Sequence, residues 1–189
     1  MKNKKIKFFI ISGLSGAGKD SVVEGLKKEG LKFSRVITTT TRPKRKGERE
    51  GRSYHFVSDQ RFREMIRKKC FLEWARVYGY YYGNTKKEIA RALEKRLPVI
   101  LAVDCQGAMT IKKKMSGVRV IFLIVESLKN LEKRLIKRGQ DSQEVIKRRI
   151  KKAKEELKTL KNWDYIVVNK ENKLKETINK VKNIILKNL

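Results

Sequence analysis

Apolar residues fall along the chain in two rhythms, unbroken short runs and helical spacings, and the two alternate. The runs Ile6 to Ile11, Pro98 to Val103, Val118 to Val125 and Tyr165-Ile166-Val167-Val168 are apolar throughout except for Lys7 and Arg119 near their starts. Such runs read as strands covered on both faces, the habit of a central parallel sheet. Weaker strand character marks Phe33 to Ile37, Tyr54 to Val57 and Phe71 to Ala75. Between them, Val22, Val23 and Leu26 predict a helix over 19–29 that Gly30 stops. Phe62, Met65 and Ile66 predict another from Asp59 to Lys69, with Ser58 or Asp59 near its cap. Further helices are expected over about Lys86 to Lys95, Gln106 to Met115, Leu128 to Lys137 and Gln143 to Leu160, and a closing one carries Leu174, Ile178, Val181 and Ile185. Strands alternating with helices predict a three-layer α/β fold with a mostly parallel sheet.

Two stretches depart from the alternation. Thr38 to Glu48 has no apolar period and is read as an exposed loop, and Val77 to Asn84 is read as an aromatic turn. Residues 38–97 look inserted into the alternation, and Arg138-Gly139-Gln140-Asp141-Ser142 breaks it again. At 189 residues the chain is one globular unit, with a core and small appended lobes.

Charge adds an expectation about partners. Lys and Arg number 49 against 20 Asp and Glu, a net charge of +29. The basic residues lie on nearly every helical segment, which reads as a solvated basic surface. Nucleic acid then enters only through non-specific electrostatics, and a polyanionic small substrate gains from the field. Cys70 and Cys105 lack metal-ligand spacing and read as core residues of a reduced, cytoplasmic protein. Met1-Lys2-Asn3-Lys4-Lys5 has the charge of a signal peptide's start, but the apolar run behind it is too short for one. No stretch approaches membrane-spanning length.

The chemistry gathers behind the first run. Gly13-Leu14-Ser15-Gly16-Ala17-Gly18-Lys19 fits G-x-x-x-x-G-K, a strand, a glycine-rich loop and a helix start whose free N–H groups cradle phosphate. The next position, which asks for Ser or Thr to hold magnesium, is Asp20, followed by Ser21. Glu73 sits in an apolar strand, where a carboxylate needs a partner or a pocket. Asp104 ends a buried strand, where ligands bind in open α/β sheets. His55 reads as packing.

Taken in order, the phosphate loop, Thr38-Thr39-Thr40-Thr41-Arg42, Tyr82-Gly83-Asn84 and Asp104-Cys105-Gln106-Gly107 make the whole chain resemble guanylate kinase. The resemblance implies a P-loop kinase fold with a core of about 1–37, 98–136 and 151–189. It adds an inserted GMP-binding lobe over about 38–97 and a small mobile lid over about 137–150. It implies transfer of the γ-phosphoryl group of ATP to GMP, and to dGMP as well, with magnesium. ATP would lie on Gly13 to Ser21, including Leu14, Ser15, Gly16, Ala17, Gly18, Lys19 and Asp20, with Asn169 near the adenine. The GMP phosphate falls to Arg42, Arg45, Tyr54 and Tyr82, and the base to Thr38, Glu73, Asn84 and Asp104. Arg134, Arg138 and Arg149 would join Lys19 and Arg42 in stabilising the transferring group. A monomer or homodimer is expected.

Several residues depart from the family pattern. Thr38 stands where Ser is usual, Asn84 where Ser or Thr is, Pro43 is shifted by one, and Ala102 replaces a common Asp. With one carboxylate gone at Ala102 and one gained at Asp20, Asp20 is assigned part of magnesium binding. A guanylate-kinase-like binding module without turnover, or a nucleic-acid-associated ATPase, are the alternatives.

Overall fold

The computed structural model describes residues 7–139 and 141–189. The basic start Met1 to Lys5, Ile6 of the first apolar run and Gln140 of the late break lie outside the described residues.

The four apolar runs, joined by the weaker strand within Phe33 to Ile37, form one parallel sheet. Strands β1 (Phe8–Gly13), β2 (Ser34–Arg35), β7 (Val99–Ala102), β8 (Val118–Ile124) and β9 (Tyr165–Val168) lie in the order β2-β7-β1-β8-β9. The first strand is therefore central, with Ile11 paired to both Ala102 and Ile121. Phe9, Ile10, Ile11, Ile100, Leu101, Ile121 and Phe122 have no accessible surface, as strands covered on both faces require.

Helices α1 (Lys19–Lys28), α4 (Cys105–Lys114), α5 (Leu128–Arg138), α6 (Gln143–Leu157) and α7 (Leu174–Lys187) accompany this sheet. Val22, Val23 and Leu26 of α1, and Ile178, Val181 and Ile185 of α7, turn their apolar stripes inward. The expected helix to Leu160 ends at Leu157, and a 3₁₀ turn over Leu160–Asn162 follows.

Residues 39–85 build a second, smaller sheet, ordered β4-β3-β6-β5, from β3 (Thr39–Thr40), β4 (His55–Phe56), β5 (Phe71–Val77) and β6 (Tyr80–Thr85). Helix α2 (Asp59–Arg67) packs Phe62 onto it, stacked on Phe71 at 4.4 Å and on Tyr81 at 5.2 Å. Helix α3 (Lys86–Glu94) leads back to the main sheet.

Two expectations change here. The stretch read as an exposed loop contains β3, with Thr38, Thr39 and Thr40 buried, because Thr39 and Thr40 pair with Gly83 and Tyr82 on one side and with His55 and Phe56 on the other. The aromatic turn is two paired strands, Val77 opposite Tyr80, closed by Tyr78-Gly79 alone. The first pairing is long in sequence and carried by threonines, so it leaves no apolar period; the second is a tight hairpin whose crowded tyrosines and glycines resemble turn residues.

A steric constraint fixes where the central strand hands over to its loop. Gly13 has φ +141°, and a Cβ built there would lie 2.2 Å from the Leu123 carbonyl oxygen. Gly13→Ala should therefore force β1 from β8, lowering stability by about 2 kcal/mol in urea denaturation. A variant as stable as the parent would contradict this packing.

Candidate active site

Where β1 ends, the chain curls under the start of α1. The Leu14 N–H donates to the Leu123 carbonyl at 3.1 Å, and Gly18 caps α1 in the left-handed region. The Lys19 ammonium donates to the Gly13 carbonyl at 2.8 Å and the Leu14 carbonyl at 3.2 Å, so it lies across the mouth of the curl. Burial lowers its pKa, against the raising fields of Glu156, Asp20 and Asp104. Ser15, Gly16, Gly18, Lys19, Asp20 and Ser21 line a cavity of about 580 Å³. That volume is within the range of small-molecule sites.

Gly13, Leu14 and Ala17 form the inner side of the curl and do not line the cavity. Asn169 also stays off the wall. Its amide donates to the Ala17 carbonyl at 2.8 Å and its oxygen accepts from Thr177 at 3.0 Å, so both ends of the side chain brace the loop from beneath.

Opposite the loop, the small sheet builds a polar relay. The Thr38 hydroxyl donates to the Asn84 oxygen at 2.9 Å, and the Asn84 amide donates to Glu73 Oε1 at 2.5 Å. Asn84 is wholly buried and Glu73 is 6% exposed, so each orientation is fixed by its neighbour. Burial pushes the Glu73 carboxyl up to about 7; the Asn84 hydrogen bond opposes this and the Asp104 charge adds to it.

Asp104 comes from the other sheet. It caps α4 through a bond from the Gly107 N–H at 2.9 Å, and its second oxygen accepts from Lys152 at 3.4 Å. A Cβ on Gly107 would lie 3.0 Å from Glu73 Oε2 and 3.3 Å from Asp104 Oδ1. The bare glycine thus lets two carboxylates converge on one helix start, where the dipole favours negative charge.

Arg45, Tyr54 and Tyr82 enter the same cavity from the 38–85 region, and Tyr54 and Tyr82 meet edge to face at 6.2 Å. Burial, with Asp20 nearby, raises the Tyr54 phenol, which therefore remains a hydrogen-bond donor. Arg42 stands behind this wall: its guanidinium lies 5.4 Å from the Tyr54 ring centroid and donates to the Pro43 carbonyl and to Glu48, both at 2.7 Å. Glu48 also accepts from the Arg45 N–H at 2.8 Å, tying the two arginine positions together.

Arg134, Arg138 and Arg149 reach the cavity from α5 and α6. Arg134 donates to the Asn169 carbonyl at 2.8 Å. Arg149, 7% exposed, donates to Ser15 Oγ at 3.3 Å and to Asp141 at 3.0 Å. Burial and the like charges of Arg138 and Arg42 all lower the Arg45 pKa. Cations so gathered call for an anion between them. Asp20 lies on the wall with its carboxylate largely exposed and paired to Arg35 at 3.2 Å.

Sequence reasoning missed Glu48, Tyr78, Gly107 and Lys152. Gly107 lay within the Asp104-Cys105-Gln106-Gly107 segment, so its spacing was the available signal; the other three make contacts that no local pattern announces. Among the described residues no helix is long and apolar enough to cross a membrane.

The cavity thus holds a phosphate cradle, a cationic middle and a buried acceptor pair. Comparison with known proteins agrees. The Guanylate kinase family model matches residues 5–188. A guanylate kinase of Syntrophomonas wolfei subsp. wolfei is 40% identical over 184 residues, covering 97% of this chain and 93% of the relative. One from Buchnera aphidicola subsp. Acyrthosiphon pisum is 42% identical over 179 residues, covering 94% and 86%. The crystal structure of guanylate kinase from Anaplasma phagocytophilum superposes with a TM-score of 0.74 at 27% identity, covering 95% of this chain and 83% of that one. With a family match from end to end and this cavity at its centre, the chain belongs to the guanylate kinase family.

Proposed function

We infer that the chain transfers the γ-phosphoryl group of ATP to GMP, giving ADP and GDP. The observation that carries this reading is the Thr38–Asn84–Glu73 relay with Asp104, facing the phosphate loop across one cavity. A fixed carboxylate accepts from guanine N1–H and its 2-amino group together, a donor pair adenine lacks. The same recognition extends to dGMP, since none of these groups reads the ribose.

The acceptor phosphate is held by Arg45, Tyr54 and Tyr82, with Arg42 and Glu48 fixing the wall behind. Its oxygen is already anionic and attacks without a general base. The loop N–H groups and Lys19 hold the donor phosphates, and Arg134, Arg138 and Arg149 stabilise the charge spread over the transferring group. In this reading the lobe over about 38–97 and the lid over about 137–150 close on the core and exclude water, which would otherwise accept the phosphoryl group.

Magnesium, when bound with the nucleotide, supplies charge neutralisation between the donor phosphates. Among the described residues no group of three or more His, Cys, Asp or Glu is arranged to hold a metal. A single carboxylate at Asp20, beside Ser21, fits an ion held mainly by phosphates and water, which is magnesium's preference. A cytoplasmic setting and a monomer or homodimer complete the proposal.

A coupled assay with GMP, dGMP, AMP, CMP and UMP checks the reaction; folded protein that forms no ADP in a GMP-dependent way would overturn it. Since Glu73 must be ionised to accept both guanine donors, and its carboxyl titrates at about 7, the KM for GMP should rise about tenfold as the pH falls from 8 to 6. Glu73→Gln should raise that KM about 100-fold and abolish the step, whereas a step persisting in the variant assigns it to another group. Gly107→Ala, whose Cβ meets Glu73, should raise the KM for GMP several-fold with the KM for ATP unmoved. For Asp20→Asn, manganese titrated by electron paramagnetic resonance with ATP present should bind more weakly and the magnesium requirement should increase; unchanged binding would sink the Asp20 assignment.

A further inference from the structure

The turn joining β5 to β6 carries a residue unsuited to it. Tyr78 has φ +49° and Gly79 φ +89°, the signature of a two-residue hairpin turn whose first position favours Asn, Asp or Gly. A bulky side chain there costs backbone energy and persists only when other contacts hold it.

Those contacts come from α6. The Arg149 guanidinium lies 4.6 Å from the Tyr78 ring centroid and the Lys152 ammonium 5.6 Å from it. Arg149 is the same side chain that reaches Ser15 of the phosphate loop and Asp141. Among the described residues its Nε has no hydrogen-bond partner, so its hydrogen bonds reach out from the two terminal nitrogens and the ring helps set the plane. Lys152, one turn along, joins Asp104 at 3.4 Å and Glu156 at 3.8 Å. Among the described residues the buried Tyr78 hydroxyl makes no well-formed hydrogen bond, although it lies near Ser15, so the ring face, with both α6 cations against it, is the part of the side chain that carries the contact. Arginine stacks on such a face by cation–π attraction and planar contact.

We propose that Tyr78 is a positioning residue: the hairpin of the 38–85 region delivers its ring under α6, and that face holds Arg149 in line with Ser15 and the transferring phosphoryl group. The inference rests on the kinase reading above. It ties two events together, because Arg149 is aligned only while the hairpin is seated against the lid helix.

The turn itself provides a clean test. Tyr78→Asn supplies a residue the turn prefers and removes the ring; Tyr78→Phe keeps the ring and removes only the hydroxyl. The Asn variant should show an unchanged or higher thermal midpoint, a kcat lowered about tenfold or more, and KM values for GMP and ATP within about threefold of the parent, the size expected for a misaligned charge-stabilising group. The Phe variant should keep kcat within about twofold. In an Arg149→Met background, Tyr78→Asn should cost almost nothing further, since the residue it positions is gone. Should Asn prevent folding, Tyr78→Leu takes its place in the same cycle. A ring-less variant with parental kcat, a change confined to the KM for GMP, or losses that multiply fully with Arg149→Met would each overturn the proposal. A parent protein with no GMP-dependent activity would instead remove the kinase reading on which the proposal stands.

Discussion

The close approach of β1 to β8 is the constraint on which the site depends. Where the Gly13 backbone meets the Leu123 carbonyl, no side chain fits, and the strand has to leave the sheet at that point. Everything downstream inherits this position. The loop curls there, Lys19 crosses it, and Asn169 at the end of β9 braces it from below through Ala17. Since β7 and β8 flank β1 on either side, Asp104 after β7 and the α5–α6 arginines after β8 arrive at the same edge. A parallel sheet gathers the starts of its helices at one rim, and chemistry needing several charges at one place finds them there.

The main sheet was legible in sequence because its signal is local. Runs such as Val118 to Val125 need no partner to be recognised; apart from the exposed Arg119 near its start, the apolar stretch from Val120 to Leu123 is buried residue after residue, which reports cover on both faces. The small sheet was less legible. Thr39 and Thr40 are buried by pairing with Tyr82 and Gly83, some forty positions away, and threonine carries no apolar signal. Likewise Val77 to Asn84 looked like a turn because aromatic residues and glycines crowd it, although only Tyr78-Gly79 turns.

The site divides in the same way. Glu73, Asp104 and Lys19 could be picked out by residue type and context, a carboxylate in an apolar strand, a carboxylate at a strand end, and a lysine behind glycines. Their supports could not. Glu48 looks like one more charge in a solvated loop, yet it holds Arg42 and the Arg45 backbone at once. Arg42 and Asn169 show the converse: residue resemblance marks them for ligands, while in the fold their polar atoms are engaged with protein groups behind the cavity wall. Side chains that act through other side chains leave no periodicity, because their partners are set by topology.

Within the cavity, charge is clustered rather than evenly mixed. Glu73 and Asp104 converge at the α4 start, where Lys152 joins Asp104, and Arg45, Arg138 and Arg149 line the wall with Lys19. Burial costs both groups first and the like charges add to it, visible in the Glu73 carboxyl pushed up to about 7 by burial with Asp104 beside it and in Arg45 pulled down by burial and then by Arg138 and Arg42. In the proposed reading a nucleoside monophosphate relieves both, because its base brings N–H donors to the carboxylates and its phosphate brings anions to the arginines. The protein's overall charge of +29 cannot supply this discrimination; it raises the local concentration of any polyanion alike. In that reading selectivity resides in the few acidic groups that the surrounding positive field makes conspicuous. In the proposed reading Asp20, largely exposed on the wall beside the phosphate loop, is the carboxylate offered to a cation arriving with the donor phosphates.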